Sequence, residues 1–212
     1  MLNDDFDINS FLAKGHCRTT ISSIFADALL QDILSEAFSM DEPDEPDYVG
    51  YVEKYYQDRY ISTDDRSNQG SRSQLKKMIA ASVLNYQKPL LRFYAGGSDV
   101  ELTNVSAYEG RTGYRMGWHQ DIGDRSVSET IIYLCEKDWQ EGDGGELQIA
   151  KVERDADGKI KRREIIETIV PRHGDVVILE NLSPHFEHQV LPWTAHHSRF
   201  SVIVIAGMLE KY

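Results

Sequence analysis

A mainly β fold with helices at its N-terminal end is what this sequence predicts, on three observations. Apolar residues recur every four positions near the start of the chain. After about Pro89 they fall into short β-branched and aromatic runs, and Gly and Asp pairs separate those runs. The first pattern is a helical stripe; the second and third are those of strands joined by turns. With 212 residues, 41% of them hydrophobic and 10% aromatic, the chain is long and apolar enough to fill a core.

In "TTISSIFADALLQDILSEAF", Ile21, Phe25, Leu29 and Ile33 share one face, with Leu30 and Ala37 alongside, which predicts an amphipathic helix. "DEPDEPD" ends it, because two prolines among carboxylates neither continue a helix nor join a core; a solvated connection is expected. A second helix is predicted over "SQLKKMIAASVLN", where Leu75, Met78, Ile79 and Val83 share a face and Ser73 caps the start. The strands follow: "LLRFYAG", "VELTNVSAY", "ETIIYLC", "ELQIAKVER", "KIKRREIIETIV", "DVVILEN" and "RFSVIVIAG". Turn residues at Gly96-Gly97, 142–145, Asp157-Gly158 and Gly174-Asp175 divide them. Asp157-Gly158 predicts a two-residue hairpin turn, since a type I′ turn needs positive φ twice. "KIKRREI", the dense cationic run beside it, is expected to be the solvated face of that hairpin. Strands at this spacing imply a sandwich or barrel. The chain is expected to divide into an N-terminal helical region, 1–88, packed on a β core, 89–212, as one integrated domain.

The bulk properties exclude several classes. A formal net charge of −12 argues against binding a phosphate backbone, so no nucleic-acid partner is expected. No stretch approaches the ~18 apolar residues of a membrane helix, and the acidic start "MLNDDFDINS" lacks the basic-then-apolar layout of a signal peptide. A cytoplasmic protein with no membrane partner is expected. Cys17 and Cys135 are too few for a disulfide framework and are expected to be buried thiols.

Chemistry concentrates in "GYRMGWHQDIGDR". Residues i and i+2 of a strand point to the same side, so His119 and Asp121 can aim a nitrogen and an oxygen at one point. Two ligands hold a divalent metal poorly. A third would come from the remaining histidines: His16, His173, His185, His188, His196 or His197. Two histidines and a carboxylate on one side of a metal form the facial triad of non-haem iron(II) oxygenases, which leaves positions open for a bidentate co-substrate and dioxygen. The same donors can hold zinc for hydrolysis, and a bare H-x-D is also a common surface pair.

From about Leu91 to Gly207 the chain resembles the 2-oxoglutarate- and Fe(II)-dependent oxygenases, in particular their prolyl-4-hydroxylase-like branch. Four blocks match in order. "SAYEGRTGYRMGWHQD" is similar to the approach to the family's H-x-D, and "IIYLCEKDWQEGDGGELQI" to its Tyr-Leu strand, tryptophan-bearing loop and Gly-Gly-x-Leu. "HGDVVILENLSPHFEHQVLP" resembles the segment with the distal histidine, and "RFSVIVIAG" the final strand, whose basic residue anchors 2-oxoglutarate.

The resemblance implies a double-stranded β-helix (jelly-roll) core flanked by helices, with His119, Asp121 and His188 as metal ligands. His188 is preferred to His185 because His188-Gln-Val-Leu-Pro reproduces the family's order, whereas His185 follows Pro184 in an entering turn. His173, His196 and His197 are expected to be exposed beside turns, and Trp139 with "EGDGGE" to form a structural turn. Arg199 is the expected clamp for the distal carboxylate of 2-oxoglutarate. A guanidinium offers a carboxylate a planar fork, and an unpaired charge in so apolar a strand would be costly. Tyr133 corresponds to the tyrosine that binds the same carboxylate, Tyr108 to one near the metal end, and Ser201 shares the face of Arg199. The extra length in "WTAHHS" is expected to reshape the substrate mouth.

The implied activity uses Fe(II), 2-oxoglutarate and dioxygen, with ascorbate as a candidate reductant. It hydroxylates a C–H bond and releases succinate and CO2. A prolyl residue of a protein or peptide is the expected substrate, with a free amino acid or peptide-like small molecule as the alternative. Because Asp121 supplies the carboxylate, no position is left for halide. Two readings of other classes stay open on the residues alone: a zinc metallohydrolase, and a non-catalytic jelly-roll binding module.

Overall fold

The computed structural model describes residues 8–35, 40–41, 48–54, 87–88, 92, 96, 100–121 and 126–208. Its elements in chain order are α1 (Ile8–Lys14), β1 (His16–Thr20), α2 (Ser23–Ser35), β2 (Met40–Asp41), β3 (Tyr48–Lys54), β4 (Val100–His119), β5 (Ser126–Cys135), β6 (Leu147–Arg154), β7 (Ile160–Ile169), β8 (Asp175–Glu180), β9 (Phe186–Val190) and β10 (Arg199–Met208). The expected helix over 73–85, most of "DEPDEPD" and most of "LLRFYAG" lie outside the described residues.

The strands pair antiparallel in the order β1-β8-β5-β10-β4-β9-β6-β7, with β3 on β4 and β2 on β3. The 20-residue β4 makes the sheet roll. Its first half pairs with β10 and its last residues pair with β9, so β5, β8 and β10 come to face β6, β7 and β9. The result is the jelly roll with flanking helices that the sequence predicts.

Alternation along β5 and β10 sorts the core into two layers. Ile132, Leu134, Phe200, Val202 and Val204 point outward onto Phe11, Leu29 and Ile33 of the helices. Ile131 and Tyr133 point inward and meet Leu147, Ile149, Val190 and Trp193 from the opposing half. Leu29 and Ile33 are fully buried, each worth about 1.5–3 kcal/mol of burial, and Leu29→Ala would cost about 2–5 kcal/mol.

The N-terminal region differs from the expected helical region over 1–88, since besides α1 and α2 it adds strands to the sheet, with β1 on β8, β3 on β4 and β2 on β3. Thr19 and Thr20 belong not to the helix but to β1, which pairs with β8, and α2 begins only at Ser23. The four-residue spacing carries Ile21 into the same apolar cluster although it precedes the helix. Gly15 makes the change of direction from α1 to β1: at φ +71° its N–H caps Phe11 O at 2.9 Å, and its carbonyl accepts from Glu180 N at 2.9 Å.

The Asp157-Gly158 turn also differs. Arg154 pairs with Ile160, which leaves 155–159 as a longer loop in place of a two-residue turn. The Asp155 carboxylate organises it, accepting from the N–H groups of Asp157 at 3.0 Å and Lys159 at 2.9 Å. An Asx side chain thus supplies the acceptor that a type I′ backbone would have provided. The cationic start of β7 is exposed, as expected. No helix among the described residues is long and apolar enough to cross a membrane.

Candidate active site

His119 ends β4, Asp121 lies two residues beyond it, and His188 sits in the middle of β9 as the register partner of His119. One ligand atom from each of the three lies within 4.8 Å of the other two. The imidazole rings meet edge to face with centroids 4.2 Å apart. Nε2 of His188 is 3.1 Å and Nε2 of His119 is 3.8 Å from the same oxygen, Asp121 Oδ2. That oxygen is buried yet accepts no aligned hydrogen bond. Three donor atoms gathered without bonding one another are disposed around a common point, and a small divalent ion fits there. His185, by contrast, is exposed, and its backbone N–H caps Ser183 Oγ at 3.2 Å.

Protonation favours a cation too. His119 Nδ1 lies 2.7 Å from Gly117 O, which can only accept, so Nδ1 carries the hydrogen and Nε2 keeps its lone pair. Burial, aided by His188, holds His119 below its ordinary pKa and so neutral. Burial works to raise the Asp121 carboxyl, but contacts with His188 and Glu129 outweigh it, and the group stays well below the usual carboxylate range. A neutral His119 and an ionised Asp121 carboxylate are thus ready to ligate beside the His188 ring.

The triad borders a cavity of about 230 Å³ whose wall includes Arg199, Tyr133, Ser201, Tyr108 and Glu129. Register explains the grouping: Ser201 pairs with Tyr108 on one side and Tyr133 on the other, and Arg199 lies one inward-facing position earlier on β10. Arg199 is 3% exposed. Its Nη1 donates to Gly145 O at 2.5 Å, and its guanidinium lies 5.0 Å and 5.3 Å from the ring centres of Tyr133 and Tyr114. Among the described residues no carboxylate pairs with it. The Tyr133 hydroxyl is buried without a hydrogen-bond partner among the described residues, and burial raises its pKa so that it stays a donor. A buried cation and an orphan O–H at one end of a cavity fit a carboxylate of a small ligand.

Several expectations need correcting. Within the stretch 193–198, Trp193 is fully buried at the Arg199 end of the cavity, its Nε1 donating to His197 O at 2.7 Å. Its ring packs on Gly145, where an added Cβ would lie 2.6 Å from it. His196 is exposed, but His173 and His197 are half-buried, and His173 Nδ1 accepts from Cys135 N at 3.1 Å. Trp139 does brace its glycine turn, donating to Gly144 O at 2.9 Å.

Glu129 is the residue that sequence reasoning missed. It pairs with Ile205 at the cavity end away from Arg199, and burial beside the Asp121 carboxylate pushes its pKa well above the ordinary range. A signal was present: Glu129 is the one charge in "SVSETIIYLC", on the face of Ile131 and Tyr133.

The family model of the 2OG-Fe(II) oxygenase superfamily matches residues 103–206. That match indicates a dioxygenase. No curated protein matches it by sequence. Among solved structures it is similar to a prolyl-4-hydroxylase of Pseudomonas putida, with TM-score 0.65 and 18% identity over 96% of this chain and 97% of that one. A prolyl hydroxylase of Trichoplax adhaerens, in complex with a hypoxia inducible factor oxygen degradation domain peptide fragment, gives TM-score 0.67 and 16% identity over 95% and 87%. HygX of Streptomyces hygroscopicus, with nickel and 2-oxoglutarate bound, gives 0.64 and 10% over 95% and 85%. At these identities the likeness is one of fold.

Proposed function

We propose that this dioxygenase hydroxylates a C–H bond of a prolyl residue in a protein or peptide, with His119, Asp121 and His188 holding Fe(II) and Arg199 anchoring 2-oxoglutarate. The observation that carries the reading is the disposition of one cavity: two imidazoles and a carboxylate converge beside it, and a buried guanidinium with no carboxylate partner among the described residues stands at its end. A zinc hydrolase would have no use for that guanidinium. A prolyl substrate is supported by the ordered blocks of the sequence and by the folds of the two prolyl hydroxylases.

When bound, iron and the keto acid together supply the oxidation: dioxygen is consumed, the keto acid leaves as succinate and CO2, and a substrate C–H becomes C–OH. The chain does the rest. His119, His188 and Asp121 present three donors on one side and leave the other open. The Gly117 carbonyl keeps the His119 ring in the tautomer that can ligate. Arg199 and the Tyr133 hydroxyl would give the distal carboxylate charge-assisted bonds, and Ser201 and Tyr108 line the same cavity. Apolar walls from Ile131, Leu147 and Val190 exclude water from the reacting end.

The test is incubation of the Fe(II)-loaded chain with 2-oxoglutarate, air and a panel of proline-containing peptides beside free amino acids, with and without ascorbate, read by mass. A gain of one oxygen on a peptide proline, lost in His119→Ala, is the expected result. A gain confined to the free amino acids would move the substrate to a small molecule, and no succinate under any condition would refute the reading.

A further inference from the structure

The reverse side of the two ligand-bearing strands carries a second polar cluster that the chemistry above does not use. Alternation sends Trp118 and Gln120 away from His119 and Asp121, and Glu187 away from His188. The backbone ladder is thin at this place. β4 and β9 share only the pairs Met116–Val190 and His119–His188, with a register shift between them, so three steps on β4 oppose two on β9. Side chains supply the missing cross-links. The Gln120 amide donates to Phe186 O and, at 3.4 Å, to Ser183 O.

Arg154, the last residue of β6, joins everything here. Its Nη2 donates to Glu187 Oε1 at 2.8 Å and to Gln120 Oε1 at 3.4 Å. Its Nε reaches Pro184 O and its Nη1 reaches Gly158 O, each at 3.2 Å. Arg163 of β7 takes the other oxygen of Glu187 at 2.5 Å and lies 4.7 Å over the Trp118 ring. Glu187 is 6% exposed, so its carboxylate depends on these cations.

We propose that Arg154 is a positioning residue for the metal triad: by gripping Gln120 and Glu187 at once, it sets the spacing of the two strands that carry His119, Asp121 and His188. One residue bonded to it lies between the two proximal ligands, and the other directly precedes the third. A change in its grip therefore moves Nε2 of His188 relative to Asp121. A residue that merely stiffened the β6–β7 hairpin would need only its bond to Gly158 O. The inference rests on the metal-site reading above.

The test titrates the metal-free full chain with Co(II), read by the absorption of the bound ion and by calorimetry, with a thermal melt of each variant. Arg154→Met keeps the aliphatic stem and removes every donor. Its Kd for Co(II) is expected to rise roughly 10- to 100-fold, the range for lost outer-shell partners. Arg154→Lys keeps a charge for Glu187 without spanning to Gln120, and should fall between. Arg162→Met, at an exposed pair with Glu164, should bind like wild type. A folded Arg154→Met that binds Co(II) within twofold of wild type overturns the proposal, even if it melts lower. Should Arg154→Met fail to fold, a folded Arg154→Lys with the wild-type Kd overturns it equally. Failure of the wild type itself to take up Co(II) would instead remove the metal site on which the inference stands.

Discussion

Replacing Arg199 by Met isolates the co-substrate anchor, because it removes the charge and the fork while keeping length and apolar bulk. Arg199 is 3% exposed, and its described neighbours are the Gly145 carbonyl and two aromatic faces. A carboxylate bound there would form a desolvated charge pair, and truncating one partner of such a pair costs about 2–5 kcal/mol. At about 1.4 kcal/mol per tenfold, Kd for 2-oxoglutarate should rise roughly 30- to 4,000-fold. Anaerobic titration of the Fe(II)-loaded chain with 2-oxoglutarate, followed by the visible absorption of the chelate, measures it. A melting experiment gives a second reading. Ligand at 100 times its Kd stabilises by about 2.7 kcal/mol, which for a chain of this size shifts Tm by roughly 5–10 °C. Wild type should show that shift, and Arg199→Met at the same concentration should not. If the variant binds 2-oxoglutarate within threefold of wild type, Arg199 is not the anchor.

Three further outcomes are expected. Gly145→Ala places a Cβ 2.6 Å from the Trp193 ring at a φ of +71°, so stability should fall by about 1–3 kcal/mol; an unchanged urea midpoint would refute the packing argument. Glu129 keeps a proton in the folded metal-free chain that the unfolded chain releases above about pH 4.3. From there upward the unfolded state binds fewer protons, so stability declines as pH rises, and metal-free Glu129→Gln should show a shallower decline from pH 5 to 8 than wild type. Equal slopes would mean that the carboxyl ionises freely. Burial pushes the Cys135 thiol up to about 11, and Cys17 is 2% exposed, so neither should react with a thiol reagent at pH 8 until the chain unfolds.

What could be read without coordinates was local. A period of two decides which side of a strand a residue faces, so Arg199 with Ser201, and Ile131 with Tyr133, are assigned to shared faces by counting alone. A period of four does the same for Leu29 and Ile33, and even for Ile21, which turned out to lie before the helix. Chemistry carried by residue type was equally legible: an imidazole and a carboxylate one residue apart, and a cation in an apolar strand. The type I′ turn at Asp157-Gly158 misled because a dipeptide preference is weak against a side-chain acceptor two residues earlier, in Asp155.

Convergence was another matter. Six histidines were candidates for the third ligand, and the residues alone left them all open; the family's order of motifs pointed to His188, and the roll of β4 brings that residue opposite His119. The contact of Glu129 with Asp121, and the four segments that meet on Arg154, leave no periodic trace, since their partners belong to different strands. Covalent geometry and alternation act between near neighbours, and they determined the faces and the donor chemistry of this chain. Distances between strands are set by how the entire sheet curls to bury both of its layers, and only the tertiary structure decided which donors share a point.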